Sequence, residues 1–218
     1  MKYLLIGIFA SLAFLSCNEE KKEVSAGEVK VIEDKTKETL PILGQSDEDE
    51  NGNKIYHTIR DFKLVNQHKD TISQKDLDGK VYIADFFFTK CPVQCPLMTN
   101  ALKRVQQNCK DIDFNIVSHT IDVRNDSSET FLKYIERFGL EDNNWYFLTG
   151  DFENIKNLGQ KYYLVTTGVN DDASDVGDIH SPHLILIDKQ KRIRGLYNGT
   201  EQKEVDKLMK DLRILVNE

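Results

Sequence analysis

A β-branched and aromatic run, Val81-Tyr82-Ile83-Ala84-Asp85-Phe86-Phe87-Phe88, leads directly into Thr89-Lys90-Cys91-Pro92-Val93-Gln94-Cys95-Pro96, and this junction constrains the chain more than any other segment. The run has the length and composition of a buried strand. Asp85 interrupts it and needs a partner if it is buried. Two prolines make Thr89 to Cys95 a turn, and Pro96 suits the first turn of a helix, where a missing N–H costs nothing. Helical spacing continues to Val105, which predicts that Leu97, Ala101, Leu102 and Val105 share one face. Two thiols therefore stand between a buried strand and a helix N-terminus, where backbone N–H groups favour thiolate over thiol. Thiolates select soft metals such as copper(I), zinc or iron–sulfur clusters. Three intervening residues loosen the loop relative to the two-residue redox spacing, which favours a metal between the sulfurs without forbidding a disulfide.

The remaining pattern alternates. A short hairpin is expected at Phe62-Lys63-Leu64-Val65 and Thr71-Ile72, ahead of the Val81 strand. Phe114 to Ile121 alternates as a second strand. A helix follows Ser127-Ser128-Glu129 with Phe131, Leu132, Ile135 and Phe138 in register and Gly139 as its stop. Trp145-Tyr146-Phe147-Leu148 reads as a third strand, and Asp151 caps a helix through Ile155, Leu158 and Tyr162. Leu184 to Ile187 and Ile193 to Tyr197 are two strands joined by a polar turn, and Glu204 to Leu215 is a closing helix. The order, β-α-β-α-β-α then β-β-α, gives an α/β fold with a mixed central sheet flanked by helices and an N-terminal β-hairpin extension.

The first residues differ in kind. Met1-Lys2-Tyr3 is positive and precedes an apolar run from Leu4 to Leu15, then Ser16-Cys17. That run fits a signal-peptide core and is too short to span about 30 Å of hydrocarbon. It resembles a bacterial lipoprotein signal (residues 1–16) ending at a lipid-modified Cys17; the alternative is an uncleaved anchor, and both put the rest outside the cytoplasm, in the cell envelope on the periplasmic side. Residues 17–39 are polar and read as a flexible tether, with the folded domain at 40–218. The formal net charge of −7, with basic and acidic residues intermixed, excludes nucleic acid as a partner.

The segment strand–Thr-x-Cys-Pro-x-x-Cys-Pro–helix resembles the Sco/SenC family of thioredoxin-like copper chaperones. Val117-Ser118-His119-Thr120-Ile121-Asp122 with Asp126-Ser127, Glu136-Arg137-Phe138-Gly139, and Asp178-Ile179-His180-Ser181-Pro182-His183 before Leu184 resemble further segments of that family, so the likeness runs from about Leu40 to the C-terminus. It implies a thioredoxin-like fold, Cys91 and Cys95 as thiolate ligands and His180 as the imidazole ligand, with His183 the rival. It also implies copper, as Cu(I) or Cu(II), as the metal, and cytochrome c oxidase subunit II or another envelope copper protein as the partner. A metallochaperone is expected rather than an enzyme. The alternative is a thiol–disulfide oxidoreductase in which Cys91 attacks as the more exposed thiol and Cys95 resolves.

Asp122 and Asp85 are candidates for groups that tune the site, and Lys90 is expected to favour thiolate at Cys91. Asp126 is expected to cap the second helix, the alternative being that it orients the site together with Asp122. Cys109 reads as a buried free thiol. Pro182 occupies the place of the cis-proline of thioredoxins; a cis bond there would add weight to disulfide chemistry. Asn170 to Asp175 has an acidic composition without calcium-loop spacing and is expected to form a solvated flap over the site.

Overall fold

The computed structural model describes residues 39–165 and 181–218. Five strands form the central sheet in the order β7-β6-β5-β8-β9: Trp145–Leu148, Asn115–Thr120, Tyr82–Phe87, His183–Ile187 and Ile193–Asn198. β5, β6 and β7 run parallel, joined by α1 (Gln94–Asn108) and α2 (Ser128–Phe138), while β8 and β9 return antiparallel. Parallel neighbours need helical crossovers, and the strand–helix alternation in the sequence supplies them. Two further antiparallel pairs precede the sheet. β3 (Lys63–Val65) and β4 (Thr71–Ser73) form the expected hairpin; β1 (Ser46–Glu48) and β2 (Lys54–Tyr56) form another, fully exposed one that the polar sequence did not announce.

Every residue of β5 and β6 is buried, as expected for strands covered on both faces. Alternation sorts their side chains. Phe87 packs on Phe131 and Tyr134 of α2 and on Phe147, with ring centroids 5.5–5.9 Å apart. Phe86 turns to the opposite face, against His119 at 5.1 Å and Tyr163 at 5.5 Å. On that second face lie α3 (Phe152–Asn157), a π-helical turn over Leu158–Tyr162, and the β3–β4 hairpin. Ser127 caps α2 through its side chain and Gly139 closes it in the left-handed region, φ 57°. The Asp151 carboxylate accepts from the Asn154 N–H at 2.9 Å, as expected.

Two expectations for helix faces fail. α1 begins at Gln94, so Cys95, Met98, Leu102 and Val105 form its buried side, while Leu97 is half exposed. Leu132 in α2 is likewise turned to solvent. The domain's first residues are tied in: Leu43 bridges to Ile193, and Arg194 donates to the Pro41 and Leu40 carbonyls while pairing with buried Asp188. α4 (Gln202–Val216) packs on β9 and α1. No helix among the described residues is long and apolar enough to cross a membrane.

Gly195 in β9 lies under the ring of Tyr197, whose hydroxyl donates to Asp211 of α4 at 2.7 Å. A Cβ at Gly195 would stand 2.5 Å from Tyr197 Cζ, and the bond to Asp211 prevents the ring from swinging clear. Gly195→Ala is therefore expected to lower stability by about 2 kcal/mol, read as a shift in the urea midpoint at unchanged slope.

Candidate metal centre

β5 ends at Phe87, and the chain turns through Thr89 to place Cys91 in the loop just ahead of α1 and Cys95 on the helix's first turn. Both are free thiols, 6% and 3% exposed, and the Cys95 N–H donates to Cys91 Sγ at 3.2 Å. The expected contrast between an exposed Cys91 and a covered Cys95 is thus absent. Between them Val93 is 65% exposed, and Leu97 beside it is 50% exposed, so an apolar rim reaches solvent over a covered pair of sulfurs.

Burial overrides the helix terminus at Cys95. It pushes the thiol well above its ordinary range; a backbone hydrogen bond with Phe88 opposes this, and Cys91 and Asp85 add to the rise. Asp85, on the α2 side of β5, is 2% exposed and accepts from Ser118 Oγ at 2.5 Å, and Ser118 in turn accepts from Trp145 Nε1 at 2.9 Å. Burial pushes the Asp85 carboxyl up to about 7. The partner that the sequence demanded for this residue is therefore a serine on the neighbouring strand.

Asp126 does not cap α2, since Ser127 holds that place. Its buried carboxylate instead accepts the Thr89 N–H at 3.0 Å, the Thr89 hydroxyl, and the Thr120 hydroxyl at 2.6 Å. Asp122 accepts both contacts of the Asn125 amide at 2.9 and 3.0 Å, and the Asn125 carbonyl oxygen accepts from Lys90 Nζ at 2.7 Å. Lys90 is thus engaged by the β6–α2 loop. The entry to the cysteine loop hangs from this acidic segment, so Asp126 takes the orienting role and not that of the helix cap.

β8 pairs antiparallel with β5, Ala84 opposite Ile185 and Tyr82 opposite Ile187, so the chain enters β8 at the sheet end where the cysteine loop departs. There the His183 ring nitrogen Nδ1 meets Ser181 Oγ at 2.6 Å, and no peptide bond among the described residues is cis, including that preceding Pro182. His180, Cys17 and the acidic segment 170–175 lie outside the described residues. His119 faces away from the loop, wholly buried among Phe62, Phe86 and Tyr163. Cys109 is buried and free at the end of α1.

The family model described as SCO1/SenC matches residues 50–217. This chain belongs to the SCO1/SenC family. Three solved Sco proteins share its architecture. A SCO1/SenC family lipoprotein from Bacillus anthracis is similar at a TM-score of 0.67 and 28% identity, covering 73% of this chain and 95% of its own. BsSco, described as a member of the Sco family of cytochrome c oxidase assembly proteins with a disulfide switch, is similar at 0.65 and 28%, covering 73% of this chain and 94% of its own. Yeast Sco1 with copper bound shares the fold at 0.55 and 23%, covering 72% of this chain and 89% of its own. The thioredoxin-like architecture that the family resemblance implies is the one these Sco proteins share.

Proposed function

We propose that this chain is a copper metallochaperone of the cell envelope. It holds copper with Cys91, Cys95 and His180 and delivers it to the binuclear copper site of cytochrome c oxidase subunit II or to another envelope copper protein. The observation that carries this reading is the pair of free, buried thiols at the end of β5, beside the sheet end where β8 begins. His180 immediately precedes Ser181 in the sequence, one residue before the segment that leads into β8. Two thiolates and an imidazole suit copper(I), and copper(II) with one further weak ligand. A three-ligand set leaves an opening for a thiolate of the recipient, so copper passes by ligand exchange. The copper-bound yeast relative and the oxidase-assembly description of BsSco support both the metal and the partner class.

The same reading has Cys17 lipid-modified after removal of residues 1–16, residues 17–39 as the tether and 40–218 as the copper domain. The lipoprotein description of the Bacillus anthracis relative supports it. Asp85, Asp122 and Lys90 act around the ligands, through burial beneath the loop and through the Asn125 bridge.

Anaerobic titration of the reduced protein with copper(I) tests the ligand set. One equivalent is expected to bind with sulfur-to-copper charge transfer. His180→Ala should weaken binding more than about tenfold, the scale of losing one charge-assisted or metal-bound contact. Because burial keeps a proton on Cys95, copper entry must release it, and affinity is expected to tighten as pH rises. Equal binding by His180→Ala and the parent would remove His180 from the site.

A second reading, a thiol–disulfide oxidoreductase, is favoured by the Cys95 N–H held to Cys91 Sγ, a geometry that keeps the two sulfurs in one loop. Cys91 thiolate would attack a partner disulfide, and Cys95 would displace the reduced partner, leaving Cys91–Cys95 oxidised by two electrons. That cycle has no use for an imidazole. His180→Ala should leave reduction of a partner disulfide unchanged if this is the activity.

A further inference from the structure

On the sheet face opposite Asp85, a cavity of about 540 Å³ opens between the β3–β4 hairpin and the α3 helix with its π-helical turn. Its size falls in the range of small-molecule sites, about 300–1,000 Å³. The walls have two characters. Phe62, Leu64, Leu158 and Tyr162 give an apolar lining, and Arg60, Lys63 and Lys75 are the three basic residues among its walls. Among the described residues no carboxylate pairs with any of these three, and Asp61, the one acidic group of the lining, is 3.4 Å from Lys191 instead. The Arg60 guanidinium lies over the Tyr162 ring, 5.9 Å from its centroid, which holds its charge at the cavity.

Two further observations point to an occupant. Gln74 also lines the cavity and is 1% exposed; its amide makes no hydrogen bond of good geometry, and the Tyr82 hydroxyl lies close enough to interact with its side chain. A buried amide left in that state costs about 1–3 kcal/mol for each missing bond, so such groups call for an explanation. The wall opposite is the π-helical turn Leu158–Tyr162, followed by Leu164 in the left-handed region at φ 55°. π-turns cost stability and recur at functional sites, and a leucine at positive φ adds strain next to it.

We propose that this cavity binds a small organic anion, a carboxylate carried on an apolar body. The carboxylate is met by Arg60, Lys63 and Lys75, and the body packs on Leu158 and Tyr162. The site is separate from the cysteine loop and does not depend on copper.

The test is a ¹H–¹⁵N NMR titration of the reduced, copper-free full chain with phenylacetate, compared with its neutral isostere phenylacetamide. Phenylacetate is expected to shift the amides of Ser73, Gln74, Lys75, Asn157 and Leu158 along one saturating curve. Phenylacetamide should bind at least about tenfold more weakly, the loss expected when a charge-assisted contact is removed. Arg60→Gln and Lys75→Gln alter exposed side chains, preserve the fold, and should each weaken phenylacetate several-fold. The proposal is overturned if no saturable shift appears at these amides up to tens of millimolar ligand, if the two probes bind equally, or if both variants bind like the parent. None of these readouts involves the thiols, so a negative result leaves the copper reading standing.

Discussion

Asp85→Asn is expected to make the protein's stability climb with pH between about 4 and 6.5, while the parent stays nearly level there. The two buried titrating groups behind this lie on opposite faces of the sheet. Burial raises the Asp85 carboxyl from 3.8 to about 7 and lowers the His119 imidazole from 6.5 to about 3. For Asp85 the folded state holds a proton that the unfolded chain has released, so stability is full below pH 3.8 and is lost as pH rises towards 7. For His119 the unfolded chain holds the extra proton, so stability is gained as pH rises from about 3 to 6.5. Each slope is about 1.4 kcal/mol per pH unit, and each sums to the order of 4 kcal/mol across its window. Between pH 3.8 and 6.5 the two oppose one another. Removing Asp85 exposes the His119 slope; His119→Phe, which suits the aromatic surroundings of Phe62 and Phe86, exposes the falling Asp85 slope. Urea denaturation at half-unit intervals from pH 4 to 8 measures both. Three parallel curves would show that neither group titrates with an altered proton affinity in the folded state.

These two groups also mark what the sequence could show. The polar break at Asp85 in an apolar strand announced a buried carboxylate, but its partner Ser118 lies on a strand that only parallel pairing brings alongside. His119 carried no partner spacing, and its complete burial among Phe62, Phe86 and Tyr163 follows from the sheet being covered on both faces. Local signals read well where one residue type determines the conformation: Asp151 at a helix start and Gly139 at a helix end. They read poorly where a boundary sets the phase. Starting α1 two residues earlier shifts its phase, at about 100° per residue, so that Met98 rather than Leu97 enters the core and Leu97 is exposed beside the cysteines. The π-turn was invisible because Ile155, Leu158 and Tyr162 also fit an uninterrupted α-helix. The cysteine pair was legible from spacing alone; its near-complete burial, which cancels the helix-terminus effect at Cys95, depended on the packing of α1 against β5.

The other large expected effect concerns Asp126. Asp126→Ala should destabilise the protein by about 3 kcal/mol and weaken copper(I) binding by more than its effect on folding explains. The carboxylate accepts from the Thr89 backbone, the Thr89 hydroxyl and the Thr120 hydroxyl, all at a site where Asp126 is 2% exposed. Removing it leaves three donors without an acceptor in a place water does not reach, at about 1–3 kcal/mol for each that cannot be satisfied again. The hydroxyls can rotate to other acceptors, whereas the Thr89 N–H is fixed by the backbone, so the loop itself must move. Thr89 stands two residues before Cys91, and a displaced Thr89 spoils the relative placement of the thiols before the fold is lost. Asp126→Asn separates the two effects. Its amide keeps one acceptor oxygen for Thr89 and presents an N–H₂ to a hydroxyl that can reverse its direction, so it should recover most of the stability and of the copper affinity. The measurements are urea denaturation of the copper-free protein and anaerobic copper(I) competition on variants shown to be folded at the same temperature. Copper affinity that follows stability one for one, with Asp126→Asn no better than Asp126→Ala, would reduce Asp126 to an ordinary buried polar group. Recovery by Asn alone would establish that the acidic loop after β6 sets the geometry of the cysteines across the sheet.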